Sequence, residues 1–561
     1  MPRVRLRLLA TLLAVSLLPV LALRFAKAQH TGTDTYAITN ARIVPVSGAT
    51  IEKGTVVFRN GLIVAVGANV SAPPDARVID GAGLTVYPGL IDSYTNLAQP
   101  EASPAAAGGG GGGGGVAFLL QQANAPRPSG PNSTQLAGLQ PETMVEDIIR
   151  TGGTDVESAR SAGFTTALTL PRTGIWMGQS ALINLSGETP QQMIVNSPVA
   201  MHVGFTPLRG SYPGSLMGVF ATLRQMMLDA QRYRDSLAVY ERSPRGVRRP
   251  DTDRSLAALV PAIEGKMPVV MLANTEREIA RALDLATEFK LKLIIAGGRE
   301  SARLTDRLVK QDVPVLLSLN LPRRTTAAMP EADPEPLRVL RERVEAQQTA
   351  GKLAKAKVRF AFESGSLPNA SDIMVNAGRV IENGLSAEDA LRAFTIWPAE
   401  ILGVGNQLGS IEVGKIANLT ITRGELFDRN SRVTNVFIDG KPVDLRPTPA
   451  APGGAGGPSR NLTGEWTLKV NLGEEKTATL TLRQEGDRLT GSIQGPLGSG
   501  EIANASTGNE VKFTVVLNLD GQTKEATFAG AIAGTGNEIR GAVTIEGRAP
   551  GTFTATRNVP N

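Results

Sequence analysis

The chain has 561 residues, 42% of them hydrophobic and 20% charged, which is ordinary for a soluble globular protein and too long for one core, so several domains are expected. The net charge is +6, but residues 1–28 hold five Lys/Arg and no acid, leaving +1 for the rest and no electrostatic argument for a nucleic-acid partner. No Cys is present, which excludes disulfides, thiolate metal sites and thiol nucleophiles, and the two His, His30 and His202, limit imidazole chemistry just as tightly.

The N-terminus carries Arg3, Arg5 and Arg7, an apolar run from Leu8 to Leu23, and Ala26-Lys27-Ala28 as a cleavage site. That order reads as a secretory signal peptide over 1–28 and predicts a periplasmic or secreted protein. Tyr36 to Asp80 reads as short strands, with Arg59-Asn60-Gly61 as a hairpin turn. Residues 105–131 include eight consecutive Gly (Gly108 to Gly115) and several Pro, predicting an unstructured insertion. Strand-like runs then alternate with helical periods: Thr165 to Leu170, Val269 to Leu272, Lys292 to Ala296, Val313 to Leu317 and Val358 to Phe362 are strands. Glu276 to Phe289, Ser301 to Lys310 and Leu337 to Lys355 are helices, and Ser386 opens another with Asp389 in a capping-box position. Strand-and-turn texture returns from Gly409 to Val443. A Pro/Gly/Ala linker (447–459) then leads to an all-β region, 460–561, of roughly eight short strands.

The segment Val86-Tyr87-Pro88-Gly89-Leu90-Ile91-Asp92-Ser93-Tyr94-Thr95-Asn96 resembles the opening of the catalytic barrel in the amidohydrolase superfamily, within it the imidazolonepropionase-like group. The resemblance covers roughly residues 36–445 and is strongest at its two ends, where Gly409 to Leu419 also follows the family pattern with Asn418 in place of an acid. It implies a TIM-like (β/α)8 barrel of the metal-dependent hydrolase type over 88–400. A composite β-sandwich from 29–87 and 401–446 would flank that barrel. The C-terminal unit is similar to lipocalin-like small barrels, and a plain sandwich fits it as well.

The family grips zinc or another divalent metal through two His on the first strand, further His on the fifth and sixth, and an Asp ending the eighth. The metal generates hydroxide for hydrolysis of non-peptide C–N bonds. By the resemblance, Tyr94 and Asn96 stand at the first pair, Leu272 at the fifth-strand His, Ala296 to Gly298 at the sixth, and Gly365 at the Asp. Such ions favour imidazole, thiolate and carboxylate, so no metal cofactor is expected. Glu363 is the candidate catalytic acid, with Asp372 either its partner or a helix cap. Tyr94, Asn96, Leu272 and Gly365 are candidate pocket residues. Gln179 and Trp176 join them from a Gly174-to-Ser180 loop, unless that loop is a tight turn around a buried Trp.

A binding or complex-forming role follows, with a small-molecule ligand or an active relative as partner. A hydrolase with rearranged, metal-free catalysis is the alternative. A third reading gives function to the C-terminal β-domain, as a binder of a small apolar ligand or of cell-wall glycan, with the barrel as carrier.

Overall fold

The computed structural model describes residues 34–100, 138–208, 212–322, 335–445 (without 366, 368–370 and 429) and most of 462–558. The expected signal peptide, Gly-rich insertion and linker lie outside the described residues, as does His30. The chain divides into two compact units, Met1–Pro447 and Thr448–Asn561.

The first unit opens with β1 (Thr35–Ile43), β2 (Ile51–Arg59), β3 (Leu62–Gly67), β4 (Arg77–Asp80) and β5 (Thr85–Pro88). Between β2 and β3, Asn60 (φ 51°) and Gly61 (φ 85°) make the predicted two-residue hairpin, whose twist requires positive φ at both positions.

Next come β6 (Leu90–Thr95), β7 (Phe164–Thr169), β8 (Trp176–Gln179), β9 (Ala181–Asn184), β10 (Ile194–Asn196) and β11 (Met201–Gly204). They are followed by β12 (Val269–Ala273), β13 (Leu293–Gly297), β14 (Val315–Ser318) and β15 (Phe360–Glu363). One sheet runs β10-β9-β7-β6 and the other β15-β14-β13-β12-β11-β8. Where one closed ladder of eight parallel strands was expected, the described residues thus form two ladders in a mixed α/β arrangement. β9 lies antiparallel to β7, and β8 antiparallel to β11. A parallel return needs a crossover of about a dozen residues or more, and residues 170–180 are too few and are spent partly on β8.

Strand alternation separates two cores. Val269, Met271 and Ala273 of β12 join the helix-side core, whereas Val270 and Leu272 face an inner core. That inner core also takes Ile91, Leu168 and Leu182 from the first sheet and Ile294, Leu316 and Ala361 from the second, so the two sheets share it. Helices Glu276–Phe289 and Leu337–Lys355 have the predicted bounds, the first held by a full Thr275–Glu278 capping box. The predicted Ser301-to-Lys310 helix is instead a 3₁₀ turn, Ser301–Arg303, followed by the short helix Thr305–Lys310.

The unit closes with β16 (Leu419–Arg423), β17 (Arg432–Ile438) and β18 (Lys441–Val443). β16 pairs with β5, so both ends of the unit build one eight-stranded sheet, β18-β17-β16-β5-β1-β2-β3 with β4 beside β1. The expected sandwich is therefore a single curled sheet. Phe58 on β2 and Phe437 on β17 are four strand steps apart, roughly 19 Å if the sheet were flat. Their ring centroids lie 5.0 Å from each other. Asn418, at the start of β16, explains its departure from the family acid. Its amide donates to Thr166 Oγ1 (3.0 Å) and Asn184 Oδ1 (2.8 Å) and accepts from Asp439 N (2.9 Å). A carboxylate could not donate either of the first two bonds.

The second unit is a closed antiparallel barrel of eight strands, from β19 (Gly464–Asn471), which pairs with β20 (Glu475–Glu485), round to β26 (Gly551–Arg557), which returns to β19. This decides between the two expected β architectures. At eight strands the interior is about wide enough for side chains alone. Trp466, Phe513, Phe528 and Phe553 fill it among the described residues, with Phe513 stacked on Phe528 at 5.0 Å. The expectation that it holds a small apolar ligand therefore meets an occupied interior.

Candidate functional site at the strand ends

The edge strands β6 and β15 meet through side chains. Ser93 Oγ donates to Phe362 O (2.6 Å), and Ser364 N donates to Asp92 Oδ1 (3.0 Å). A register shift between Asp92 and Thr95 re-aims β6, so that Tyr94 packs on the same inner core as Ile91. Glu363 follows Ala361 at strand spacing and shares its inward face, beside Ser318, its cross-strand neighbour on β14.

This brings two buried carboxyls together. Asp92 is pushed up to about 6 by burial, against the opposing hydrogen bonds from Ser364. Glu363 is pushed up to about 8, first by burial and then by the charge of Asp92, while Ser318 and the Gly365 N–H hold it partly back. Its Oε2 has no hydrogen-bond partner among the described residues. Tyr94 is partly buried, and its hydroxyl is raised above the usual phenol range by burial and by Glu363. The Tyr94 ring lies 5.6 Å from that of His202, and its hydroxyl is 4.0 Å from Met177 Sδ. His202, on β11, is fully buried and pushed down to about 3, and neither ring nitrogen has a partner among the described residues.

The remaining expected site residues separate into two groups. Leu272 faces the inner core between Gly204 and Ala296, and Asn96 stands partly buried just past the end of β6. Gly365 adopts φ +57°, and a Cβ there would lie 2.8 Å from Ser318 Oγ and 3.2 Å from Glu363 Oε2. Leu272 shares a core cluster with Tyr94, and Gly365 lies against Glu363. Gln179 and Trp176 go elsewhere, on strand β8 rather than a loop. The Gln179 amide donates to Pro141 O (3.2 Å), and Trp176 is buried in the helix-side core. Asp372 lies in the first turn of the helix Ser371–Glu382.

Sequence reasoning passed over Asp92, which looked like part of the Pro-Gly frame, and set aside His202. The scarcity of His was the one signal that pointed back to it. As for a metal, the aligned positions offer a phenol, a carboxamide, an alkyl chain and a Gly without room for a side chain. Among the described residues no three His, Asp or Glu side chains are placed to hold an ion. The donors at these aligned positions do not fit a divalent metal.

The Amidohydrolase family model matches residues 336–443, a span that contains Glu363, Gly365 and strands β16 to β18. The structure of an amidohydrolase from Thermotoga maritima MSB8 superposes with a TM-score of 0.61 and 24% identity, over 73% of this chain and 100% of that one. Over residues 336–443 the chain is thus similar to the amidohydrolase family, and its first unit shares the fold of the Thermotoga protein. Among curated proteins, a dihydroorotase of Pelobacter propionicus is 33% identical over 63 residues, 11% of this chain and 15% of that protein. Dihydropyrimidinase 1 of Caenorhabditis elegans is 41% identical over 63 residues, 11% of this chain and 12% of that protein. The chain thus spans less than a sixth of either relative's length. In this chain Asp92, Glu363, Tyr94 and His202 are polar groups gathered beside the inner core.

Proposed function

We propose that this amidohydrolase-family protein is a degenerate member that binds a small molecule, or an active relative, instead of hydrolysing with a metal. On this reading the two α/β sheets are together the (β/α) barrel of the family. One observation carries it: at the position of the family's proton-moving Asp stands Gly365, in a left-handed conformation with its side-chain space already taken by Ser318 and Glu363. Leu272 blocks a second donor position with carbon. The test is elemental analysis of the purified protein, with melting temperature measured across a zinc titration. No stoichiometric metal and no zinc-dependent stabilisation are expected. About one tightly held zinc, iron or manganese per chain would overturn the reading.

A second reading has its own observation. Glu363 is buried beside Asp92, its Oε2 without a partner among the described residues, and its raised pKa is what a general acid or base working near neutrality needs. On that reading the protein hydrolyses C–N bonds without a metal, and activity would follow the ionisation of Glu363 and vanish in Glu363→Gln. Export completes the proposal. It rests on the Arg-rich start, the apolar run and Ala26-Lys27-Ala28. Sequencing the mature N-terminus should find it at Gln29.

A further inference from the structure

The inner core holds polar atoms whose bonding is incomplete. Both nitrogens of His202 and Oε2 of Glu363 are buried without a partner among the described residues. Each such atom costs about 1–3 kcal/mol, so a native structure that keeps them calls for a reason. They are not scattered: Tyr94 lies against the His202 ring on one side and within the field of Glu363 on the other. Tyr94 and Leu272 are among the partly accessible members of this inner surface. Two residues beyond Tyr94 and Ser318 along their strands stand Asn96 and Asn320, both partly buried. A carboxamide donates and accepts and carries no charge.

We propose that these strand ends bind an uncharged small molecule that both donates and accepts hydrogen bonds, held by Asn96 and Asn320 at the rim and completed inside by Glu363 and His202. This deepens the binding reading above and rests on it. Charge decides the class. Burial keeps His202 neutral, and Glu363 holds its proton near neutral pH. An anion would meet two carboxyls and no cation. A cation would leave water for an apolar core and face an acid that is still protonated.

Saturation-transfer NMR on the full-length protein with benzamide, benzoate and benzamidine tests this, because the three probes share a ring and differ in charge. Benzamide alone is expected to give saturable transfer, and its affinity should fall at least tenfold in Asn96→Leu, Asn320→Leu or both. Transfer from either charged probe as strong as from benzamide would overturn the proposal. So would the absence of benzamide binding, or benzamide binding unchanged in both variants. Metal analysis of the same sample keeps the two failures apart. A metal-loaded sample sinks the parent reading, whereas a metal-free sample that ignores benzamide sinks only this one.

Discussion

The two units enclose interiors of opposite character. The C-terminal barrel is filled by aromatic and aliphatic side chains, and its one indole N–H is satisfied by Leu462 O at 3.1 Å. The interior between the two α/β sheets holds two carboxyls and an imidazole, with three of their atoms unpartnered among the described residues. An apolar interior needs no more than close packing to be stable. A polar interior of this kind is a standing cost, which marks it as the place where function constrains the sequence.

The sharpest way to break the comparison is to empty the apolar side. Phe528 contacts Phe513 at 5.0 Å and Phe553 at 5.2 Å. Phe528→Ala should cost the C-terminal unit about 3–5 kcal/mol. Calorimetry should show that unit's transition fall while the transition of the first unit stays in place. A single transition moving as a whole would deny that the units melt independently.

The polar side should answer to pH. Glu363 is raised from the ordinary carboxylate range to about 8, so its contribution to stability is complete below about 4.5 and is lost as pH climbs toward 8. Asp92 adds the same trend up to about 6. His202 works in the opposite direction: its contribution is present above about 6.5 and is lost as pH falls toward 3. Glu363→Gln should therefore stabilise the first unit by about 1–3 kcal/mol at pH 8.5 and do little at pH 4.5. Denaturant melts at the two pH values measure this. An equal effect at both would remove the buried acid from the account.

The smallest expected effect lies at the seam. Ser93→Ala removes the hydrogen bond to Phe362 O and should cost about 1 kcal/mol, because a buried carbonyl loses its donor. Amide exchange should quicken on β6 and β15 first.

Much of this was legible in the sequence, for reasons that can be named. Helices such as Glu276–Phe289 announced themselves by a long apolar period, and the Asn60-Gly61 turn by residues that tolerate positive φ. The family resemblance pointed to Tyr94, Leu272 and Glu363, and Tyr94 and Leu272 pack on one inner cluster. Strands β8 to β11 were not legible: each has three or four residues, too few to show a period, and Gly178 breaks the first. The role of Asp92 was hidden because its partner, Ser364, lies 272 residues away. The curl that replaces a sandwich was equally invisible, since no local pattern records which faces of one sheet will meet.

That curl has a consequence for how the chain is made. Tyr87 of β5 and Glu425, just past β16, are hydrogen-bonded across 338 residues. Closing so long a loop costs only about 2.5 kcal/mol more than closing one of 20 residues, so the thermodynamic burden is slight. The burden is one of waiting. At about 5–20 residues per second, β5 is synthesised roughly 17–70 s before its partner strand exists. Through that interval one edge of an apolar strand stands open, a template for pairing with any other nascent copy. Production of this protein is therefore expected to be limited by early association of its N-terminal strands, and to improve when synthesis is slowed in number of chains rather than in rate per chain.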